Sequence, residues 1–153
     1  MSALVISTIG VLFAGLLAGE EFIVRYGVQP ALTSLDDLPH LRARQALVRR
    51  LRIVVPALMA PTVLLAIAAL VVGGTAPGFA FRVAGLAALV AFVLFSFLGT
   101  VPINIRVNDW DAEHPPADWK RVIARWQLID VFRSSAAILG FGLLLIGLVL
   151  QAS

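Results

Sequence analysis

The stretch VAGLAALVAFVLFSFLGTVPI, residues 83–103, runs for 21 residues without a charged side chain. A helix needs about 20 largely apolar residues to cross a hydrocarbon core of roughly 30 Å, so this stretch predicts a membrane-spanning helix. Three further stretches meet the same requirement, at residues 3–24, 53–72 and 134–150. The sequence therefore predicts an all-α fold, a polytopic membrane protein built as a four-helix transmembrane bundle.

The overall composition agrees with this prediction. Hydrophobic residues make up 60% of the chain, charged residues only 14%, and the mean hydropathy is +0.96, values typical of membrane proteins and far from those of soluble domains. The four spans nearly exhaust the sequence, so we expect a single domain over residues 1–153. The chain has no cysteine, which excludes a disulfide framework, a thiolate metal site and a thiol nucleophile.

The positive charges predict the orientation. Eleven of the twelve Lys and Arg residues lie between spans one and two, between spans three and four, or at the ends of these spans, and Arg82 alone lies in the short connection between spans two and three. The positive-inside rule then places both long connectors in the cytoplasm and both termini outside, in the inner (plasma) membrane. The net charge of +3 is thus a feature of membrane topology, and we expect membrane lipids rather than a nucleic acid as partners.

The first connector is expected to be a helical cytoplasmic extension of span two. Ser34 and Asp37 have the spacing of a capping box, and Pro39 suits a first helical turn. From His40 the helix is expected to run unbroken into the span. Its basic face either holds anionic lipid head groups or attracts a substrate.

Polar side chains that are costly near a membrane come from all four spans at one level, the cytoplasmic end. Such groups usually face the bundle interior or a hydrated cavity. Glu21 and Arg25 are four residues apart and are expected to pair on one helix. The set is Glu20, Glu21 and Arg25 in span one, Arg49 and Arg52 at span two, Thr100, Asn104 and Asn108 at span three, and Asp130 and Arg133 at span four.

The fourth helix carries the most regular part of this set. Trp119, Trp126 and Arg133 recur every seven residues, and Asp130 follows Trp126 by one turn, so the four share one side of a helix. This stripe predicts an amphipathic pocket at the cytoplasmic mouth of the bundle. The alternative is structural, because tryptophans populate interfacial belts and Asp-Arg pairs lock helices together.

The same segment carries a family resemblance. Its pattern is Pro102-Ile-Asn104, Asn108-Asp-Trp110-Asp111, Pro116-Ala-Asp118-Trp119, Arg125-Trp126 and Arg133. This pattern resembles the anthrone oxygenase-like family, small four-span membrane proteins largely described as a domain of unknown function. Gly15 and the Gly27-Val-Gln-Pro30 exit of span one extend the resemblance over the chain. Asp130 departs from the family pattern, which often has His or Asn there.

The resemblance implies that dioxygen oxidises an anthrone to an anthraquinone without a metal or flavin, so no cofactor is expected. Such a reaction needs a base, donors that stabilise the enolate oxygen, and an aromatic wall for the flat rings. The candidates are Asp130 or Glu21 as the base, Arg133 and Asn104 for the oxyanion, Trp119 and Trp126 for stacking, and Asn108, Arg25 and Arg52 as further substrate-binding residues.

Several other chemistries lack their residues. A di-iron bundle needs Glu-x-x-His pairs and haem needs a ligand within a span, but His40 and His114 lie in the connectors. No metal site is predicted. Three functions stay open: an oxygenase acting on a hydrophobic aromatic, a non-catalytic module that binds lipid, quinone or a partner membrane protein, and a small transporter or channel subunit. Homo-oligomerisation is also left open.

Overall fold

The computed structural model describes residues 3–153, which form four long helices. They are α1 (Ala3–Thr33), α2 (Asp37–Gly73), α3 (Phe79–Asn108) and α4 (Trp119–Ala152). Each is long and apolar enough to cross a membrane, and no strand occurs among the described residues. The predicted all-α four-helix fold is confirmed, and every helix continues beyond its predicted apolar stretch.

The start of α2 differs in detail from the prediction. Asp36 has an extended backbone and precedes the first helical residue, Asp37, and Pro39 lies in the first turn as expected. Ser34 instead ends α1: its backbone is still helical, and its hydroxyl donates to the carbonyl of Ala31 (2.8 Å). The predicted Ser34–Asp37 capping box is therefore wrong, because a capping residue needs a non-helical backbone.

Two of the helices contain a π-helical turn, at Val24–Val28 in α1 and at Ser96–Thr100 in α3. A proline follows each turn closely, Pro30 in α1 and Pro102 in α3. Proline cannot donate a backbone hydrogen bond, and its ring crowds the carbonyl four residues back. The wider turn gives that carbonyl room without ending the helix.

The helices pack in the order α2, α1, α4, α3. The pairs α1 with α2, α1 with α4 and α3 with α4 are extensive, whereas α2 and α3 meet less closely. Gly15 lets α4 approach α1 closely, since a Cβ there would lie 3.1 Å from the ring of Phe141. Gly19, one turn further along α1, makes no such contact, because a Cβ at that position would have no neighbouring atom within 4 Å. The main core consists of Ala14, Leu17, Ala66, Leu89, Phe92, Ala137 and Leu144.

The two long connections fold against each other at one end of the bundle, called here the connector end. A second apolar cluster forms there from Leu41, Val107, Trp119 and Ile123. The side-chain amide of Gln45 donates to the carbonyls of Val107 and Trp110 (2.9 Å each). It thereby satisfies one carbonyl in the last turn of α3 and one in the loop that follows.

The loop between α3 and α4 is held by short polar contacts. The backbone N–H of Glu113 donates to Asp111 Oδ1 (2.9 Å), which keeps the pKa of the Asp111 carboxyl below its ordinary value. Arg42 of α2 pairs with Glu113 (2.7 Å), and Lys120 of α4 pairs with Asp37 (3.0 Å). The first of these exposed ion pairs ties the loop to α2, and the second ties the start of α4 to α2.

Candidate functional site

A cavity of about 400 Å³ lies between α2 and α3, in the half of the bundle nearer the connector end. This volume is within the range of small-molecule sites. Its apolar wall includes Leu47, Leu51, Val55, Met59, Phe97 and Val101. Its polar groups are Gln29, Arg44, Arg52, Ser96, Thr100, Asn104, Asn108, Asp109, Trp126 and Arg133.

Arg133 presents a buried cation to this cavity. Only 5% of the residue is exposed, and its Nη2 lies 2.7 Å from Glu21 Oε2 and 2.9 Å from Asp130 Oδ1. Its Nε also donates to Asp130 Oδ1 (3.1 Å). Glu21 and Asp130 are themselves buried and do not line the cavity. The two carboxylates therefore hold the guanidinium on the side away from the cavity. Glu20 interacts with the same group and adds a further carboxylate to the cluster.

Arg25 does not pair with Glu21, so the predicted pair four residues apart is wrong. Its Nη1 instead donates to the hydroxyls of Ser134 (3.1 Å) and Ser135 (2.9 Å) on α4. The π-helical turn that begins at Val24 separates Arg25 from Glu21, and such a turn shifts the phase of the side chains that follow. Arg25 thus joins α1 to α4, and it does not line the cavity.

The predicted tryptophan stripe divides between two sites. Trp126 is 4% exposed and lines the cavity, and the guanidinium of Arg44 lies 5.1 Å from its ring centroid. Trp119 packs edge-on against His40, with ring centroids 5.6 Å apart, in the apolar cluster of the connector end. Trp119 therefore stabilises the connector end and is not brought to the cavity.

The asparagines of α3 and the basic side chain of α2 do reach the cavity. Asn104 and Asn108, one helical turn apart, line it together with Arg52. Their roles in binding or catalysis stay predictions.

Sequence reasoning missed four polar cavity residues, Gln29, Arg44, Ser96 and Asp109. Arg44 is only 2% exposed; its Nη2 donates to Gln29 Oε1 (2.6 Å) and its Nε to His40 Nε2 (3.3 Å). A signal for Arg44 existed, because its position falls on one helical face with Val48, Leu51 and Val55. Arg44 lies nine residues before the apolar stretch 53–72, away from the polar residues that were expected at the end of that span.

The chain offers little to a metal ion. Across residues 3–153, no group of three or more His, Cys, Asp or Glu side chains is arranged to hold one. Chemistry without a cofactor stays a prediction from the family resemblance.

Four membrane-crossing helices around an amphipathic cavity, with a buried arginine held by two carboxylates, define a small membrane protein suited to a mostly apolar ligand. The family model for anthrone oxygenase matches residues 45–143, more than half of the chain, and the protein belongs to this family. Comparison with curated proteins found no match, and comparison with solved structures found none either.

Proposed function

We propose that this protein is a cofactor-independent oxygenase that converts a flat, anthrone-like aromatic to the corresponding quinone with dioxygen. The observation that carries the proposal is Arg133, a buried guanidinium presented to a largely apolar cavity. Membership of the anthrone oxygenase family supports the same chemistry.

The cavity has two opposed apolar walls, which suit a flat apolar ligand. Leu51 and Val55 of α2 face Phe97 and Val101 of α3 across it, and Trp126 of α4 contributes an aromatic surface. Burying apolar rings there is favourable by about 25 cal/mol per Å². Ring contacts with Trp126 add orientation.

The proposed first step is loss of a proton from the ring methylene carbon, which leaves an enolate. Arg133 stabilises the negative oxygen, and a buried cation is effective because the surroundings screen it weakly. Glu21 and Asp130 act as positioning residues for Arg133, since both bind it and neither lines the cavity. Asp109 is the carboxylate among the lining residues, but it follows Phe92, whose ring lies 5.4 Å from the Arg133 guanidinium, by 17 residues, about 25 Å along α3. In this proposal the proton therefore passes through water to Glu21 or Asp130.

The oxygenation balances without an external reductant. The enolate transfers electrons to dioxygen, and a carbon–oxygen bond forms at the deprotonated carbon to give a hydroperoxide. The hydroperoxide then loses water and leaves a carbonyl. In total the methylene carbon loses two hydrogens and gains one oxygen atom, and the second oxygen atom leaves as water.

Oxygen uptake by the purified protein tests the proposal. With anthrone as substrate, wild-type protein is expected to consume oxygen well above the spontaneous rate. Arg133→Gln is expected to lose about 100-fold or more of the catalysed rate, the size of effect seen when an oxyanion donor is removed. The control is Arg106→Gln, whose exposed side chain pairs with Asp118 outside the cavity.

Two outcomes would contradict the proposal. Uptake by the wild type at the spontaneous rate would leave the cavity as a binding site without chemistry, the second of the functions open from the sequence. A folded Arg133→Gln variant with the wild-type rate would remove the enolate role of Arg133.

A further inference from the structure

The cavity wall carries more positively charged side chains than negatively charged ones. Arg44, Arg52 and Arg133 line the cavity, whereas Asp109 is the one carboxylate among the lining residues of the described chain. Glu21 and Asp130 pair with Arg133 on the side away from the cavity. Among the described residues, neither Arg44 nor Arg52 forms an ion pair with a carboxylate, so part of the wall carries positive charge without a close negative partner.

Of these two cations, Arg44 has the greater need of a negative partner, because only 2% of it is exposed to solvent. A buried charge is costly unless a partner compensates it. Its contacts are neutral: the amide oxygen of Gln29, the ring nitrogen of His40 and the face of Trp126. These groups orient the guanidinium but supply no negative charge, and no described residue bonds to its Nη1.

The charge of Asp130 does not fill this gap. Asp130 influences Arg44 electrostatically, yet it lies beyond ion-pair distance and already accepts two hydrogen bonds from Arg133. Arg44 therefore remains available to an anion that enters the cavity.

Arg44 and Arg133 lie at two different depths of the cavity, measured along the axis of α4. Arg44 lies against Trp126, and Trp126 precedes Arg133 by seven residues on α4, about 10 Å along a helix axis. Apolar side chains of α2 and α3 occupy the walls of the same cavity. A ligand of a few fused rings has the length to reach from one arginine to the other.

We propose that the substrate carries a carboxylate remote from the oxygen that faces Arg133, and that Arg44 binds this group. The identity of the ring system rests on the proposed function, but the anion subsite at Arg44 does not. A fatty acid from the membrane has the same chemistry, an anionic group on an apolar body, and the experiment separates the two sources.

Binding of product-like ligands tests the subsite without turnover. Calorimetric titration compares anthraquinone-2-carboxylate with the neutral anthraquinone-2-carboxamide, which matches it in shape. Wild-type protein is expected to bind the carboxylate about tenfold more tightly, as one charge-assisted hydrogen-bonded contact implies. Arg44→Gln is expected to abolish this preference. Arg50→Gln, an exposed arginine of α2 outside the cavity, is expected to keep it.

The wild-type comparison needs no variant, so the proposal stays testable if Arg44→Gln fails to fold. Equal affinities for the two wild-type ligands would overturn the subsite, as would an equal loss of preference in Arg44→Gln and Arg50→Gln. Arg44→Lys keeps the charge and is expected to keep most of the preference.

A second arm compares oleate with oleyl alcohol. Preference for oleate that depends on Arg44, together with no binding of either anthraquinone, would support the anion subsite with a lipid occupant and contradict the oxygenase proposal. Preference for the carboxylated anthraquinone without any oxygen uptake on anthrone would likewise support the subsite while the oxygenase proposal fails.

Discussion

At the scale of single residues, the cluster around Arg133 combines a functional and a structural duty. Burial of an ion pair has a desolvation cost that the attraction between the charges roughly offsets. The cluster therefore contributes little net stability when complete, but it becomes costly when one member is missing. The same contacts that stabilise the pair also aim the guanidinium at the cavity.

Removing the cation is expected to destabilise the fold. Arg133→Met leaves Glu21 and Asp130 buried without their partner, and breaking such a pair costs about 3–5 kcal/mol. Thermal unfolding in detergent should show a clearly lower Tm. Arg106→Met, which breaks the exposed pair with Asp118, is expected to change stability by about 1 kcal/mol or less. A Tm for Arg133→Met equal to that of Arg106→Met would contradict the cluster's role.

The identity of the base is decided by another residue-scale comparison. The sequence nominates Asp130 or Glu21, and both bind Arg133, whereas Asp109 lies at the far end of the cavity wall. Of Glu21→Gln and Asp130→Asn, the variant that removes the base is expected to lower kcat by about 100-fold, the smaller end of the effect of a general base. Asp109→Asn is expected to leave kcat nearly unchanged. A comparable loss of kcat in Asp109→Asn alone, at unchanged Tm, would assign the base role to Asp109.

At the scale of elements, the π-helical turn of α3 shapes the cavity wall. Ser96, Phe97 and Thr100 all belong to the turn Ser96–Thr100 and all line the cavity. The motif Gly99-Thr-Val-Pro102 accompanies it, and Gly27-Val-Gln-Pro30 accompanies the corresponding turn of α1. The repeated motif indicates that proline and the wide turn act together in both helices.

Gly99 is required in this turn for a packing reason. A Cβ at Gly99 would lie 2.6 Å from Ile129 Cγ2 of α4, so Gly99→Ala is expected to destabilise the protein by about 1–3 kcal/mol, the usual cost of overpacking. Gly142→Ala is the matched control, because no atom lies within 4 Å of its Cβ position. That change is expected to be neutral or to stabilise α4 by up to about 1 kcal/mol. Equal Tm values for the two variants would contradict the close approach of α3 and α4.

At the scale of the whole molecule, the distribution of positive charge predicts which side of the membrane the connector end faces. We propose that it faces the cytoplasm, since eleven of the twelve Lys and Arg residues lie at or near it. The chain has no cysteine, so single cysteines can report topology without background. An impermeant maleimide applied to intact cells is expected to label Thr75→Cys, in the turn between α2 and α3, and to leave His114→Cys unlabelled. Labelling of His114→Cys alone would reverse the orientation.

Much of the fold was predictable because apolar length is a local property. Residues 83–103 alone require a helix, and three similar runs make a bundle. The convergence of Asn104, Trp126 and Arg133 on one cavity also agrees with the placement of polar side chains at one end of the spans. The prediction that Trp119 lines the pocket is wrong. Its spacing matches that of Trp126 and Arg133, but the folded connectors place it against His40.

The sequence by itself determined four membrane-crossing helices and the end of the bundle that carries their polar side chains, because helix length and phase depend only on residues near in the chain. The tertiary structure alone decided that α2 and α3 stand apart and enclose the cavity, that Glu21 pairs with Arg133 rather than Arg25, and that Arg44 reaches Trp126. The physical reason is that these contacts join residues of different helices. Which helices become neighbours, and at what phase, depends on packing all four of them at once.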